Sequence, residues 1–347
     1  MVVRNLEKIR SAVARRARLR ARKLRARFSR ARRPVILMYH RIADETFDPW
    51  GLAVAPDKFA QQLSWLANHR SLLSLSEFAR LHRIAQLPDD AIAVTFDDGY
   101  ACTARIAAPL LNCCRVPATI FLPAGLIGRT RSFWWDELAE IVMKHGRTSL
   151  SALGRTFDLG ERHDRDGAWP RDSRKRTPRQ NGFYALWAAL QPLPPDAIEE
   201  ALAGLRDQDT AESADERHRL MTPDEVRSIR SDRIEFGSHA LSHASLPGLP
   251  RAEKASEIRG SVAACEELAG THPLTFAYPF GDFDAECEAI AADAGFRCAC
   301  TVEPRAVSPD DRLFALPRLK AGNWTWRQLR QALADASWQA GSVAVEA

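Results

Sequence analysis

From residue 34 onward, short apolar runs alternate along the chain with segments whose apolar side chains recur every three or four positions. The short runs predict buried strands, and the recurring pattern predicts helices. The six predicted strands are VILMYHRI (35–42), AIAVTF (91–96), PATIFLPA (117–124), RIEFGSH (233–239), LTFAYPFG (274–281) and RCACTVE (297–303). Strands that alternate with helices pair in parallel, so the pattern predicts an α/β fold.

The predicted helices between these runs each carry one apolar face. At residues 56–69, Phe59, Leu63 and Leu66 share such a face. A helix at 74–83 is also predicted, because Ser74 followed by Glu77 is the pattern of a capping box. Further helices are predicted at 101–112, 222–230, 251–270 and 285–295.

The alternation of strands and helices stops between residues 129 and 218. This stretch has a predicted helix at 133–146, a charged loop with several prolines and glycines at 160–182, and two further helical segments. We interpret it as a mainly helical insertion. The chain is thereby divided into an arm (1–33), a main domain (34–128 and 219–335) and the insertion.

Six strands separated by helices suit either an open, doubly wound sheet or a barrel with fewer than eight strands. In both architectures the chemistry takes place at the carboxyl ends of the strands. Polar residues that directly follow a predicted strand are therefore the first candidates for a functional site.

Composition narrows the class of protein. Apolar residues make up 46% of the chain, which is normal for a globular core, and no apolar run is long enough to cross a membrane. The seven cysteines include no CxxC pair, so we expect free thiols rather than a disulfide framework. Cys298 and Cys300 alternate along a predicted strand and are expected to be small core residues.

The basic charge of the protein is concentrated in the arm. Residues 1–34 hold fourteen Lys or Arg and a single acid, Glu7, although the whole chain has a net charge of only +5. Apolar residues such as Leu6, Ile9 and Val13 recur on one side, which predicts a basic amphipathic helix.

We expect this arm, residues 1–33, to bind an anionic membrane surface. A solvated basic tail is the main alternative, and no nucleic-acid partner is expected because no recognised nucleic-acid fold follows the arm. The arm lacks the continuous apolar region of a secretory signal. The expected location is therefore cytoplasmic, with peripheral attachment to the inner face of the membrane.

Two carboxylates and two imidazoles follow predicted strands. Asp97 and Asp98 directly follow the predicted strand AIAVTF, and His239 and His243 stand four residues apart where RIEFGSH ends and the chain runs into a turn or a helix. Imidazoles at this spacing share one face of a helix and can bind one metal ion. With one aspartate they form a two-His, one-carboxylate site, and the second aspartate remains free to act as a base.

These motifs resemble those of the polysaccharide deacetylases of carbohydrate esterase family 4, which contain the NodB homology domain. The similar segments are TFDDG (95–99), SHALSHASL (238–246) and FAYPFGDF (276–283), and the resemblance covers about 34–128 and 219–320. It implies a distorted (β/α) barrel. It also implies metal-dependent hydrolysis of an acetyl group carried by a sugar.

The resemblance assigns roles to residues of this chain. Asp97 would be the general base, and Asp98, His239 and His243 would bind a divalent metal. Zn²⁺ is expected first, with Co²⁺, Ni²⁺, Mn²⁺ and Fe²⁺ as alternatives. Tyr278, Pro279 and Phe280 would line the sugar and supply a backbone N–H to the oxyanion. Such chemistry needs a base for the attacking water and a metal to polarise the carbonyl.

Two elements of the family pattern are missing. The third motif has no arginine to orient the catalytic aspartate, and no histidine follows His272 to serve as the late general acid. His40, at the end of the first predicted strand, is the candidate acid, and it has a counterpart in similar enzymes that act on exported poly-N-acetylglucosamine. The alternative is that His40 has only a structural role at the end of the strand. Arg318 is the candidate for orienting Asp97.

The expected function is removal of an N-acetyl group from an amino sugar of a glycan or of a lipid-linked saccharide precursor. A non-sugar amidase and a catalytically silent glycan-binding protein remain alternatives on the same fold. An iron oxygenase shares the ligand set but not the second aspartate. Trp134 and Trp135 are candidates for stacking on a sugar, although neighbouring positions of a helix do not share a face.

Overall fold

The computed structural model of the protein describes residues 32–144, 146–170, 173–206 and 217–342. The amphipathic helix predicted for residues 1–33 lies almost wholly outside these ranges, so it stays a prediction. Within the described parts of the chain, no helix combines the length and the apolar character needed to cross a bilayer.

A parallel sheet of eight strands forms the centre of the fold. In chain order, the strands of the described residues are β1 (Val35–Tyr39), β2 (Arg41–Ile42), β3 (Ala53–Val54), β4 (Ser71–Leu73), β5 (Ala91–Phe96), β6 (Ala118–Leu122), β7 (Ser149–Ala152), β8 (Arg155–Asp158), β9 (Ile234–Ser238), β10 (Thr275–Ala277), β11 (Cys298–Cys300) and β12 (Leu319–Lys320). The sheet has the order β11-β10-β9-β6-β5-β1-β12, and β4 pairs with β5. The predicted α/β fold is confirmed.

The sheet differs from the predicted six strands in three places. β4 and β12 were not predicted, because three or two residues are too few to show a strand period. The run predicted as one strand at 35–42 is broken at His40: β1 pairs with β5, whereas β2 pairs with β3 outside the main sheet. The break turns the chain at the rim where the carboxyl ends of the strands meet.

The curled sheet forms a distorted, incomplete (β/α) barrel, as expected. A single segment links its two edges. Leu316 forms a parallel bridge with Cys300 of β11, and Leu319 pairs with Leu37 of β1. Arg318 lies between these two contacts and is completely buried. The linking segment therefore places the positively charged side chain of Arg318 inside the barrel.

Helices surround the sheet. They are α1 (Pro56–His69), α2 (Leu75–Arg83), α3 (Ala108–Cys114), α4 (Trp134–Lys144), α5 (Pro178–Leu190), α6 (Pro195–Leu205), α7 (Pro223–Ser228), α8 (Arg251–Ala269), α9 (Ala285–Asp293) and α10 (Trp326–Ser342). The helix predicted at 101–112 instead has a π-helical turn at Thr103–Ala107 that runs into α3. Pro109 lacks the N–H that a regular helix would need there, which explains the widened turn.

The segment between residues 129 and 218 contains α4, α5 and α6 and also an antiparallel hairpin of β7 and β8 that was not predicted. Leu153 and Gly154 at its turn both have positive φ, 53° and 68°. Two such residues form the turn that suits a two-residue hairpin, although leucine is unusual there. Side chains of the three helices and the hairpin pack into an apolar cluster of their own, which includes Leu138, Phe157 and Phe183.

Candidate active site

The ends of four parallel strands bring the candidate residues to one rim of the barrel. His40 follows β1, Asp97 and Asp98 follow β5, His239 follows β9, and Tyr278 follows β10. Because the strands are parallel, side chains far apart in sequence meet at this rim.

Asp98, His239 and His243 form a buried group whose ligand atoms all lie within 4.8 Å of one another. The Nε2 atoms of His239 and His243 lie 3.5 Å and 3.3 Å from Asp98 Oδ1. His239 Nδ1 lies 2.7 Å from the carbonyl oxygen of Ala277. A proton on Nδ1 donates to that oxygen and leaves the Nε2 lone pair available, as in many metal-binding histidines.

This donor set fits a divalent metal ion. Two imidazole nitrogens and one carboxylate are typical ligands of Zn²⁺ and of several transition metals. Burial raises the pKa of the Asp98 carboxyl, but the two imidazoles more than offset this and hold it well below its usual range. Asp98 is therefore ionised at neutral pH and provides the negative charge that a cation requires.

The two histidines converge through a turn, which is one of the two expected geometries, and not through a shared helical face. β9 ends at Ser238, and the backbone of Ala240 and His243 is left-handed, with φ of 62° and 58°. Asp98 also has a positive φ of 73°. This conformation is unfavourable for residues other than glycine, and such strain concentrates at functional sites.

Arg318 holds Asp97 in a bidentate ion pair inside the barrel. Its Nη1 and Nη2 donate to Asp97 Oδ1 and Oδ2, each at 2.7 Å, and its Nε donates to the carbonyl oxygen of Thr301 at 2.9 Å. Burial raises the pKa of Asp97, but the guanidinium more than offsets this and holds it below its usual range. Asp97 is thus an ionised carboxylate next to the candidate metal group and is not one of its three members.

His40 lies at the same rim and is partly buried. Its Nδ1 has no hydrogen-bond partner among the described residues. Burial lowers the pKa of His40, and the carboxylates of Asp98 and Asp97 oppose that effect. An imidazole with an unused nitrogen beside two carboxylates is suited to transfer a proton.

A cavity of about 430 Å³ opens over these groups. His40, Asp97, Asp98, His239 and His243 all line it, together with Trp50, Trp135, Trp187 and Phe280. The cavity has the common character of a small-molecule site, in which apolar and aromatic walls surround a few polar groups.

Tyr278, Pro279 and Phe280, the three residues assigned from the third motif, differ in what they can offer to a substrate. The Tyr278 ring is buried, its hydroxyl donates to the carbonyl oxygen of Phe314, and its amide donates to Cys300. Pro279 does not line the cavity. Phe280 has a left-handed backbone, and its ring centroid lies 4.6 Å from that of His243. Among these residues, only the amide of Phe280 remains as a donor to an oxyanion.

A buried polar network next to the site was missed by the sequence reasoning. Trp135 Nε1 donates to the Tyr100 hydroxyl at 3.1 Å, and that hydroxyl donates to Asp136 Oδ2 at 2.8 Å. The guanidinium of Arg41 lies 3.7 Å from Asp136, and the Trp135 ring packs against His243. The sequence offers one signal for this network: Tyr100 directly follows the motif TFDDG, and Arg41 directly follows His40. Trp134 packs against Trp187.

All seven cysteines are free, as predicted, and Cys298 and Cys300 are buried. Neither belongs to the candidate metal group.

The comparisons with known proteins agree with this geometry. The family model for polysaccharide deacetylases matches residues 85–148 and 206–299, which include Asp97, Asp98, His239 and His243. Over these matched residues the chain is similar to the polysaccharide deacetylases. His40 and Arg318 lie outside the matched residues.

Individual curated relatives match only part of this chain. YxkH of Bacillus subtilis is 27% identical over 100 residues, which are 29% of this chain and 36% of that protein. The poly-β-1,6-N-acetyl-D-glucosamine N-deacetylase of Escherichia coli K12 is 29% identical over 114 residues, which are 32% of this chain and 16% of that protein. The chain thus matches well under half the length of these curated relatives.

Solved structures share the fold over most of this chain. The deacetylase PplD of Streptococcus pyogenes has a TM-score of 0.56 and 18% identity, and the match covers 87% of this chain and 99% of PplD. IcaB from Ammonifex degensii has a TM-score of 0.55 and 18% identity over 87% of this chain and 97% of IcaB.

Proposed function

We propose that the protein is a metal-dependent hydrolase that removes the N-acetyl group from an amino sugar of a glycan or a lipid-linked saccharide. The observation that carries this proposal is the pairing of two adjacent aspartates with different partners. Asp98 faces two imidazoles, whereas Asp97 is held by Arg318. One carboxylate is thus available to a metal and the other to a proton.

Asp98, His239 and His243 would hold the metal, with Zn²⁺ expected first. A divalent metal at this position supplies Lewis acidity toward the acetyl carbonyl. Asp97 accepts a proton from the water that attacks the carbonyl carbon. His40 donates a proton to the amine nitrogen as the bond from carbon to nitrogen breaks. The products are acetate and the free amine, and the Phe280 amide is the backbone donor available to the oxyanion.

The substrate class is proposed from the relatives and from the cavity. A curated relative is a poly-β-1,6-N-acetyl-D-glucosamine N-deacetylase, and the aromatic walls of the cavity suit a sugar ring. We also propose that residues 1–33 bind an anionic membrane on its cytoplasmic side. The catalytically silent alternative depended on the missing arginine and histidine, and Arg318 and His40 supply both residue types at this rim.

The decisive experiment is acetate release. Purified protein with Zn²⁺ is offered β-1,4- and β-1,6-linked N-acetylglucosamine oligomers, membrane-extracted glycolipids and simple acetamides, and acetate is quantified. The proposal expects acetate from at least one saccharide and its loss on treatment with a chelator. Turnover of simple acetamides alone would favour the non-sugar amidase, and stoichiometric metal binding without any acetate would favour the silent protein.

The role of His40 predicts a dependence on the leaving group. His40→Ala is expected to lower kcat for an N-acetyl sugar by about a hundredfold, which is within the usual contribution of a general acid. A phenyl acetate with a good leaving group needs little protonation and should be affected far less. Equal losses on both substrates would contradict the assignment. His82→Ala, at a histidine in α2 that lines none of the described cavities, serves as the control.

Loss of a metal ligand should be visible without any substrate. Asp98→Ala is expected to weaken Zn²⁺ binding by more than about a hundredfold, because removing only an outer-shell partner of a metal ligand already costs 10- to 100-fold. Metal content after dialysis and titration calorimetry measure this effect. Asp97→Asn is the neighbouring control and should retain the metal. A metal-free Asp97→Asn protein or a metal-loaded Asp98→Ala protein would reverse the assignment of the two aspartates.

A further inference from the structure

Aromatic rings continue from the wall of the catalytic cavity onto the surface of the protein. Trp50 and Trp187 line the cavity that contains Asp97 and Asp98, and their ring centroids are 4.4 Å apart. Tyr184 precedes Trp187 by three residues on α5, so both lie on one face of this helix. Their rings are 6.2 Å apart and tilted by only 23°. We call Trp50, Tyr184 and Trp187 the aromatic shelf.

The outer part of the shelf is accessible to solvent. Tyr184 is 41% exposed, which is high for a large apolar side chain in this protein. The buried ring of Phe183 contacts Trp50, and the guanidinium of Arg176 lies over the Tyr184 ring, 4.9 Å from its centroid. These contacts hold the rings in position, while part of Tyr184 stays open to a ligand.

The loop that carries Trp50 is fixed in place by polar contacts. The carboxylate of Asp48 accepts hydrogen bonds from the amides of Leu52 and Ala53, both at 2.9 Å. Lys320 Nζ donates to the Trp50 carbonyl oxygen at 2.6 Å. The loop is therefore already ordered in the free protein. A ligand that binds to the shelf does not have to order it, so little binding free energy is lost to loop entropy.

We propose that the aromatic shelf binds the sugar unit next to the one that loses its acetyl group. This proposal rests on the proposed function and narrows the substrate class to saccharides of two or more units. The apolar C–H face of a pyranose ring stacks on flat aromatic rings, while its hydroxyl groups remain in water. A lipid chain would instead favour an enclosed apolar groove, and this shelf is open and carries a phenol hydroxyl and a guanidinium.

The test compares the affinity for one sugar unit with the affinity for several. Titration calorimetry with Zn²⁺-loaded Asp97→Asn protein uses N-acetylglucosamine and its β-1,4- and β-1,6-linked tetramers. One tetramer should bind about tenfold or more tighter than the monomer, the size expected from one strong aromatic contact. Tyr184→Ala and Trp187→Ala should each reduce the ratio of tetramer to monomer affinity about fivefold or more.

Trp326→Ala is the matched control. Trp326 is also a partly exposed tryptophan with an arginine over its ring, and it lines none of the described cavities. Its replacement should leave the affinity ratio unchanged. The proposal is overturned if neither tetramer binds tighter than the monomer, or if Tyr184→Ala leaves the ratio as in the parent protein.

Wild-type protein provides a second readout, the ratio of kcat/KM for tetramer and monomer, in case Asp97→Asn does not fold. The two proposals fail in different ways. Tetramer binding that depends on Tyr184 but yields no acetate would contradict only the deacetylase function. Acetate release that is equally efficient for monomer and tetramer, and insensitive to Tyr184→Ala, would contradict only the role of the shelf.

Discussion

Asp97→Asn is expected to lower kcat for acetate release by about 100- to 10,000-fold, the usual contribution of a general base. Asparagine has the same shape as aspartate and still accepts a hydrogen bond from Arg318, but its amide oxygen does not take up a proton from water. Acetate release under saturating substrate measures the effect, and metal content and thermal unfolding show that the protein remains folded and loaded.

Asp90→Asn is the control for this variant. Asp90 lies just before β5 and Asp97 just after it, so both substitutions change the same strand at opposite ends. Asp90 accepts a hydrogen bond from Ser71 and lies away from the cavity. Its replacement should leave kcat unchanged. Full activity in folded, metal-loaded Asp97→Asn protein would exclude Asp97 as the base.

Arg318→Met is expected to lower the free energy of unfolding by about 3–5 kcal/mol, because it leaves the buried charge of Asp97 without a partner. Asp97 and Arg318 are both at most 2% exposed, so water cannot replace the lost contact. Urea unfolding followed by tryptophan fluorescence measures the change. Activity should also fall, since the carboxylate is no longer oriented.

Two further variants test whether the loss of stability comes from the unpaired buried charge of Asp97 and not simply from removing an arginine. Arg80→Met removes an exposed bidentate pair with Glu77 that has the same 2.7 Å distances, and it should lower the stability far less than Arg318→Met, because water replaces the lost contact. The double variant Asp97→Asn, Arg318→Met should be more stable than Arg318→Met alone, because no unpaired buried charge remains. Similar losses for Arg80→Met and Arg318→Met would contradict the argument.

The parts of the fold that depend on local patterns could be predicted. AIAVTF predicted a strand at 91–96 that the structure has at the same residues, and the helix at 56–69 also agrees. The candidate metal group could be predicted because Asp98, His239 and His243 lie at or just after the end of a predicted strand, and parallel strands end at one rim. Their convergence through left-handed residues could not, since backbone conformation there depends on the surrounding packing.

Features that depend on distant contacts could not be predicted. The hairpin of β7 and β8 turns at Leu153 and Gly154, a pair that lacks the usual asparagine or aspartate. The contact of Trp135 with His243 requires α4 to dock on the rim, and no period in the sequence reports that docking. Arg41 and Asp136 are ordinary charged residues in the sequence and become buried only in the assembled protein.

The left-handed backbone of Ala240 sets a limit on engineering this protein for heat resistance. An alanine there carries a cost of about 1–2 kcal/mol that glycine would avoid, partly offset by the greater freedom of glycine in the unfolded chain. Ala240 is also completely buried in an apolar cluster, so Ala240→Gly would give up the packing of its methyl group. The two effects oppose each other, and because Ala240 directly follows His239, the added freedom of glycine would also loosen a residue that is proposed to bind the metal.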